Sequence, residues 1–195
     1  MEKQQWERIY QGKLEENTCK SQMTAERFFP NEQWIEAAML KLKYEEVPHG
    51  IENIKIARSR LSKKKDDEKT LVKELSQAKI LADNGSSIFL LPKLKDPHTK
   101  YFKKGPDAIV NGTLYEFKTI TGPISKVERN FRHSRKQCEN AFLRIMDPAI
   151  SKDAVISKMR QILNDKTYNG GAEGSLIVHF EEEKKTYFLR IKDLK

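Results

Sequence analysis

The sequence predicts an α+β fold: N-terminal helices, then a small domain of helices with an antiparallel or mixed sheet. Three observations predict it. Apolar residues recur at helical spacing through the first third of the chain. From Asp67 onward, helix-like and strand-like stretches alternate. Asn111-Gly112 lies between two β-rich runs, the strongest short-range signal for a hairpin. From Asp67 the order reads helix, strand, hairpin, helix, helix, two strands, the pattern of a layered domain.

Taking the elements in order, Trp6, Ile9, Tyr10 and Leu14 mark one helix, and Trp34, Ile35, Ala38, Met39 and Leu42 mark a second with Asn31 as its N-cap. Pro48-His49-Gly50 breaks the chain before a third apolar segment at Ile51, Ile54, Ala57 and Leu61. The charge run Lys63 to Glu68 reads either as a linker or as a solvated helix face; taken as a boundary, it gives a helical accessory segment at 1–65 and an α+β domain at 66–195. Leu71, Val72, Leu75, Ala78 and Leu81 then form an amphipathic helix stopped by Asn84-Gly85. Ser87–Pro92 reads as a buried strand, and a basic loop follows from Lys93 to Lys104. Beyond the hairpin come a basic helix from Lys126 to Arg144, a helix around Val155–Leu163, and closing strands at Ser175–Phe180 and Thr186–Ile191.

Composition narrows the function. With 37 Lys+Arg against 28 Asp+Glu the net charge is +9, a balance that favours a polyanionic partner, nucleic acid first. No apolar stretch approaches the ~18 residues of a membrane span, so no span is expected. The polar start, MEKQQWERIYQGKLEEN, has no apolar signal-peptide core, which points to the cytoplasm, reached in place or by delivery as an effector. Cys19 and Cys138 lack the spacing of a zinc site or a disulfide framework.

A two-residue turn at Asn111-Gly112 sets Asp107 opposite Glu116 and puts Asp107, Ile109, Leu114, Glu116 and Lys118 on one face. Facing carboxylates repel, so a cation, a metal ion or a proton should compensate. Two acids and a lysine on one face is what a metal-dependent nuclease uses: the acids hold Mg²⁺ and the lysine acts beside the phosphate. Pro106-Asp107…Glu116-Phe117-Lys118, with eight residues between the acids, satisfies the PD-(D/E)xK pattern. The plainer reading is a strand end on which Lys118 satisfies both acids.

A wider pattern surrounds this string. Ala78-Lys79-Ile80-Leu81-Ala82-Asp83-Asn84-Gly85, Leu90-Leu91-Pro92, Pro106-Asp107-Ala108-Ile109-Val110-Asn111-Gly112, Glu116-Phe117-Lys118-Thr119 and the helix through Gln137 together resemble the C-terminal tRNase toxin domain of contact-dependent growth inhibition CdiA proteins. The resemblance is closest from Glu74 to Leu143 and looser over the rest of 67–195. It implies a toxin-like endoribonuclease with a central antiparallel sheet, and an immunity protein as a further partner. Residues 1–65 have no counterpart in it and are assigned to docking or delivery.

Two chemistries stay open. With a metal, Asp107 and Glu116 are the ligands, Lys118 is the catalyst and Glu74 completes the site, so Mg²⁺ is the cofactor and DNA becomes a candidate substrate. Without a metal or other cofactor, the ribose 2′-OH is activated, the phosphorane is stabilised and the leaving oxygen is protonated. Glu116 or His133 would then be the acid/base, Lys118, Arg129 and Arg132 the cations, and Thr119 or Thr121 the hydroxyl donors. Arg129, Arg132 and Lys136 form an i, i+3, i+7 stripe on the basic helix, which with Gln137 and the loop lysines Lys103 and Lys104 suits phosphate-backbone contact. The plainer reading of that stripe is a solvated face. A third function class is a catalytically idle nucleic-acid-binding or interaction protein of a mobile element.

Overall fold

The computed structural model describes residues 16–61, 64–93 and 105–195. The helix read at Trp6–Leu14 and the loop residues Lys103 and Lys104 lie outside that range. Among the described residues there are four α-helices and eight strands of mixed pairing, an α+β architecture. The chain divides into two units, residues 1–103 with 107–113, and residues 104–106 with 114–195. The expected division at 65/66 falls inside the first unit, where a long helix begins.

The first unit contains α1 (16–28), β1 (Trp34–Glu36), β2 (Ile54–Ala57), α2 (Lys65–Asp83), β3 (Ile88–Leu90) and β4 (Ala108–Val110). β1 pairs antiparallel with β2, β2 parallel with β3, and β3 antiparallel with β4. This corrects the reading of residues 34–61 as helical. Trp34 and Ile35 enter a strand, followed by a single 3-10 turn at Ala37–Met39. In Ile54-Lys55-Ile56 the two isoleucines are fully buried and the lysine between them is not, a period of two. Pairing across β1–β2–β3 overrides the local helical spacing, as tertiary context does for weak propensities.

Helix α2 forms where it was expected. Leu71, Leu75, Ala78 and Leu81 make its buried stripe, and Gly85 takes the left-handed conformation that ends it (φ 82°). Its polar side is also tied in. Glu68 accepts from the backbone N–H groups of Lys43 (3.2 Å) and Tyr44 (2.7 Å), and Glu74 is paired with buried Arg60 at 2.5 Å.

The turn after β4 is as expected. Asn111 and Gly112 both have positive φ, 49° and 82°, the requirement of a type I′ turn. Asn111 Oδ1 accepts from Ser87 N–H at 2.8 Å, and Gly112 N–H donates to Ser21 Oγ at 2.9 Å. A Cβ on Gly112 would lie 3.3 Å from Lys20 Cβ, so glycine also serves the close approach of α1.

The second unit contains β5 (Thr113–Ile120) from Leu114 onward, α3 (Ile124–Arg135), β6 (Ala141–Ile145), α4 (Lys152–Asn164), β7 (Ser175–Phe180) and β8 (Lys185–Arg190). β5, β6 and β7 are parallel neighbours, and β8 closes the edge antiparallel to β7. One face carries Ile120, Leu143, Ile145, Leu176, Val178 and Phe180, which pack with Val127 and Phe131 of α3 and with Val155, Met159 and Ile162 of α4.

The long basic helix from Lys126 to Arg144 requires correction. α3 ends at Arg135, and Ala141–Ile145 is a strand. Phe142 and Leu143 continue the apolar spacing of the helix, but they belong to a strand flanked by parallel neighbours, where apolar residues run on without alternating. Gln137 and Cys138 therefore lie in the connection, their N–H groups bonded to Ser134 O, both at 2.9 Å.

Candidate active site

Strand β5 positions the central residues. Its register sets Glu116 beside Ala141 and Lys118 beside Leu143, so both side chains point to the face covered by α3 and α4. Glu116 is 3% exposed and Lys118 is half-buried. The Lys118 ammonium donates to Glu116 Oε1, forming an ion pair two residues apart on one strand. A buried carboxylate is costly unless charged donors satisfy it, and Lys118 supplies one such bond, to Oε1.

Asp107 lies in the first unit, just before β4, where its carbonyl accepts from Leu91 N–H at 2.9 Å. Thr119 is exposed and projects from the face of β5 opposite Glu116 and Lys118. His133, Arg129 and Lys136 are exposed, His133 and Arg129 on α3 and Lys136 at its C-cap. Arg132 is not a free surface cation. It donates to Glu128 Oε1 (3.0 Å) and Asp165 Oδ2 (2.5 Å) and covers the Tyr168 ring, 5.5 Å from its centroid. Asp165 in turn accepts from Thr167 N–H and Oγ1, and these bonds with that of Arg132 hold its carboxyl below the usual range. Glu74, in the first unit, is engaged by Arg60 and Lys93.

Two polar clusters escaped the sequence reading. On the opposite face of the second sheet, buried His179 shares a hydrogen bond between Nδ1 and Thr186 Oγ1 (2.9 Å), with Glu181 Oε2 3.7 Å from its Nε2. Arg144 Nε donates to that same Glu181 oxygen at 2.7 Å, and this bond, chiefly, pulls the Glu181 carboxyl down to about 2. Burial lowers the affinity of His179 for its proton. Placing Arg144 on a helix hid this cluster. The second is Tyr115, whose hydroxyl meets Ser175 Oγ, which in turn is 3.0 Å from Asn140 Oδ1; burial, above all, raises the phenol above its ordinary value.

Among the described residues no three of His, Cys, Asp and Glu group together as a ready-made metal centre, and no helix is long and apolar enough to cross a membrane.

Residues 104–182 match the family model of the contact-dependent growth inhibition CdiA C-terminal domain. No curated protein and no solved structure matches the chain. The matched range starts after the segments Ala78–Gly85 and Leu90–Pro92 and runs past Leu143 through β7. The stretch that carries Asp107, Glu116, Lys118 and His133 is thus similar to the CdiA C-terminal domain, and there the resemblance read from the sequence is borne out.

Proposed function

We propose that this chain is a nuclease that cleaves RNA, with tRNA its favoured substrate, and that it acts as a toxin in the cytoplasm of a target cell. CdiA C-terminal domains are toxin domains, often nucleases, and generally pair with an immunity protein. The observation that carries the reading is that the family match falls on the strand bearing the buried Glu116–Lys118 pair. In this mechanism Lys118 meets the negative charge that develops on the phosphorane, and Glu116, released from it, takes the proton of the attacking 2′-OH. His133 is the candidate donor to the leaving oxygen. Asp107 is the acid that the sequence string adds to the set, and Thr119 serves as a hydroxyl donor only if its strand face is the one presented to RNA.

The intact Pro-Asp…Glu-x-Lys string favours a second reading, a Mg²⁺-dependent PD-(D/E)xK deoxyribonuclease. Asp107 and Glu116 have the hard oxygen donors that Mg²⁺ takes, but Glu116 already serves Lys118, so a metal would have to share that carboxylate. The two readings separate in one experiment. The purified chain is incubated with tRNA, bulk RNA and plasmid DNA, each with Mg²⁺ and with EDTA. Cleavage of tRNA that survives EDTA is the expected result. Cleavage of DNA lost in EDTA selects the metal enzyme, and no turnover on any substrate leaves a binding protein.

A further inference from the structure

The second unit has a cavity of about 420 Å³ between the C-terminal turn of α3 and the loop that follows α4. Arg132, Arg135 and Lys136 line one side, and Tyr168, Asn169 and Gly170 line the other. That volume lies in the range of small-ligand sites, ~300–1,000 Å³, and is larger than one phosphate needs.

The two arginines differ in a way that defines the site. Arg132 is neutralised twice, by Glu128 and Asp165. Arg135 is held only by neutral acceptors: Tyr168 Oη at 3.2 Å from Nε, Gly170 O at 2.6 Å from Nη2, and Glu139 O from Nη1. Its charge is fixed in position with no carboxylate against it. Lys136 next to it is exposed and makes no ion pair among the described residues. The lining therefore carries two uncompensated positive charges and no acid. Its walls are braced: Tyr168 stacks on Phe131 at 6.2 Å between centroids, and Gly170 has no Cβ because one would lie 2.4 Å from the Tyr168 hydroxyl.

We propose that this cavity is a nucleotide subsite, taking one phosphorylated nucleoside unit of a nucleic-acid strand. The phosphate sits on Arg135 and Lys136, and the sugar or base lies toward Thr167 and Asn169. The held guanidinium of Arg135 binds an anion without first having to be ordered, and Lys136 adds a second positive charge beside it. The inference rests on the nuclease reading for its ligand class, but its test is a binding measurement.

The full-length chain is titrated with inorganic phosphate, with each 5′-mononucleotide, and with a 2′-O-methyl RNA oligonucleotide, which cannot be cleaved through its 2′ oxygen. Mononucleotides should bind more tightly than inorganic phosphate, and the oligonucleotide most tightly. Lys136→Met should weaken oligonucleotide binding several-fold and lower the salt slope by about one. Gly170→Ala should displace Tyr168 into the cavity and abolish mononucleotide binding, with the melting temperature measured alongside. Should that variant fail to fold, Lys136→Met still decides the matter. Wild-type affinity and slope in Lys136→Met would overturn the subsite and leave the nuclease reading standing. Pocket-dependent binding without any cleavage would overturn the nuclease reading and leave the subsite.

Discussion

The two faces of the β5–β8 sheet each hold an acid with a cation against it, buried on one face and half-buried on the other, and they are built differently. On the helix-covered face Glu116 is 3% exposed, and its cation, Lys118, comes from the same strand two residues on. On the other face Glu181 lies at the end of β7 and gathers Arg144 from β6, Lys184 from the following turn and His179 from its own strand. The first is an ion pair between two residues of one strand. The second is a network spread over several elements. A network survives the loss of one member better than a pair does, because the remaining cations still satisfy the acid. The proposed chemistry uses Glu116 and Lys118, which lie within the range of the family match.

The largest effect expected from this contrast follows replacement of Lys118. Lys118→Met keeps most of the stem's apolar volume and removes the cation beside Glu116. Cleavage should fall by ~10²-fold or more, the usual cost of one preorganised electrostatic group. Because Glu116 is left buried without its lysine, stability should also fall, by about 1–3 kcal/mol. Added Mg²⁺ should restore that stability only if a metal binds the acids. His179→Asn, on the opposite face, should leave the rate within a few-fold of wild type. Measuring rate and melting temperature on both variants is decisive, and a reversed outcome would move the active site to the His179 face.

A middle-sized effect concerns the basic helix. Arg129 is exposed and Arg132 is bound to two carboxylates, so charge reversal should act differently at the two. Arg129→Glu should reduce the salt slope of RNA binding by about one to two and leave the melting temperature unchanged. Arg132→Glu should lower the melting temperature, because it faces Glu128 and Asp165 with a third acid. Equal effects on both quantities would mean that the helix meets RNA as a uniform basic surface.

How much of this was legible depended on whether the deciding interactions were local. The stop of α2 at Asn84-Gly85, the turn at Asn111-Gly112, and the alternation that puts Glu116 and Lys118 on one face are properties of a few neighbouring residues, and the sequence displays them. Residues 34–36 and 141–145 were misread because strand pairing from distant segments decides them. Trp34 needs Ala57, and Phe142 needs both Phe117 and Ile177. Arg144 on a presumed helix concealed its bond to Glu181, 37 residues away. Likewise Arg135 fell outside the chosen i, i+3, i+7 stripe. Nothing in Tyr168-Asn169-Gly170-Gly171 except a turn signal announces that the tyrosine folds back onto α3.

The smallest effect tests the other face, through acid. His179 ordinarily titrates near 6.5, and burial lowers that in the fold, with Glu181 opposing the shift and Arg144 and Lys184 adding to it. As pH falls through 6.5 the unfolded chain takes up this proton first, so stability contributed by neutral His179 is complete above 6.5 and declines below it. Glu181 ordinarily titrates near 4.5 and is held at about 2, mainly by the hydrogen bond from Arg144. Its contribution is complete above 4.5 and is lost as pH falls from there towards 2. Both groups thus weaken the fold on acidification, in two successive windows. Glu181→Gln should flatten the lower window and leave Arg144 without its carboxylate. Protonation of His179 should become harder still in that variant, since the Glu181 carboxylate that favours it is gone. His179→Asn should flatten only the upper window. Urea unfolding of the three proteins from pH 8 to pH 3 measures this directly, and a Glu181→Gln variant that kept the wild-type slope below pH 4.5 would show that Arg144 and Glu181 do not act as a pair in solution.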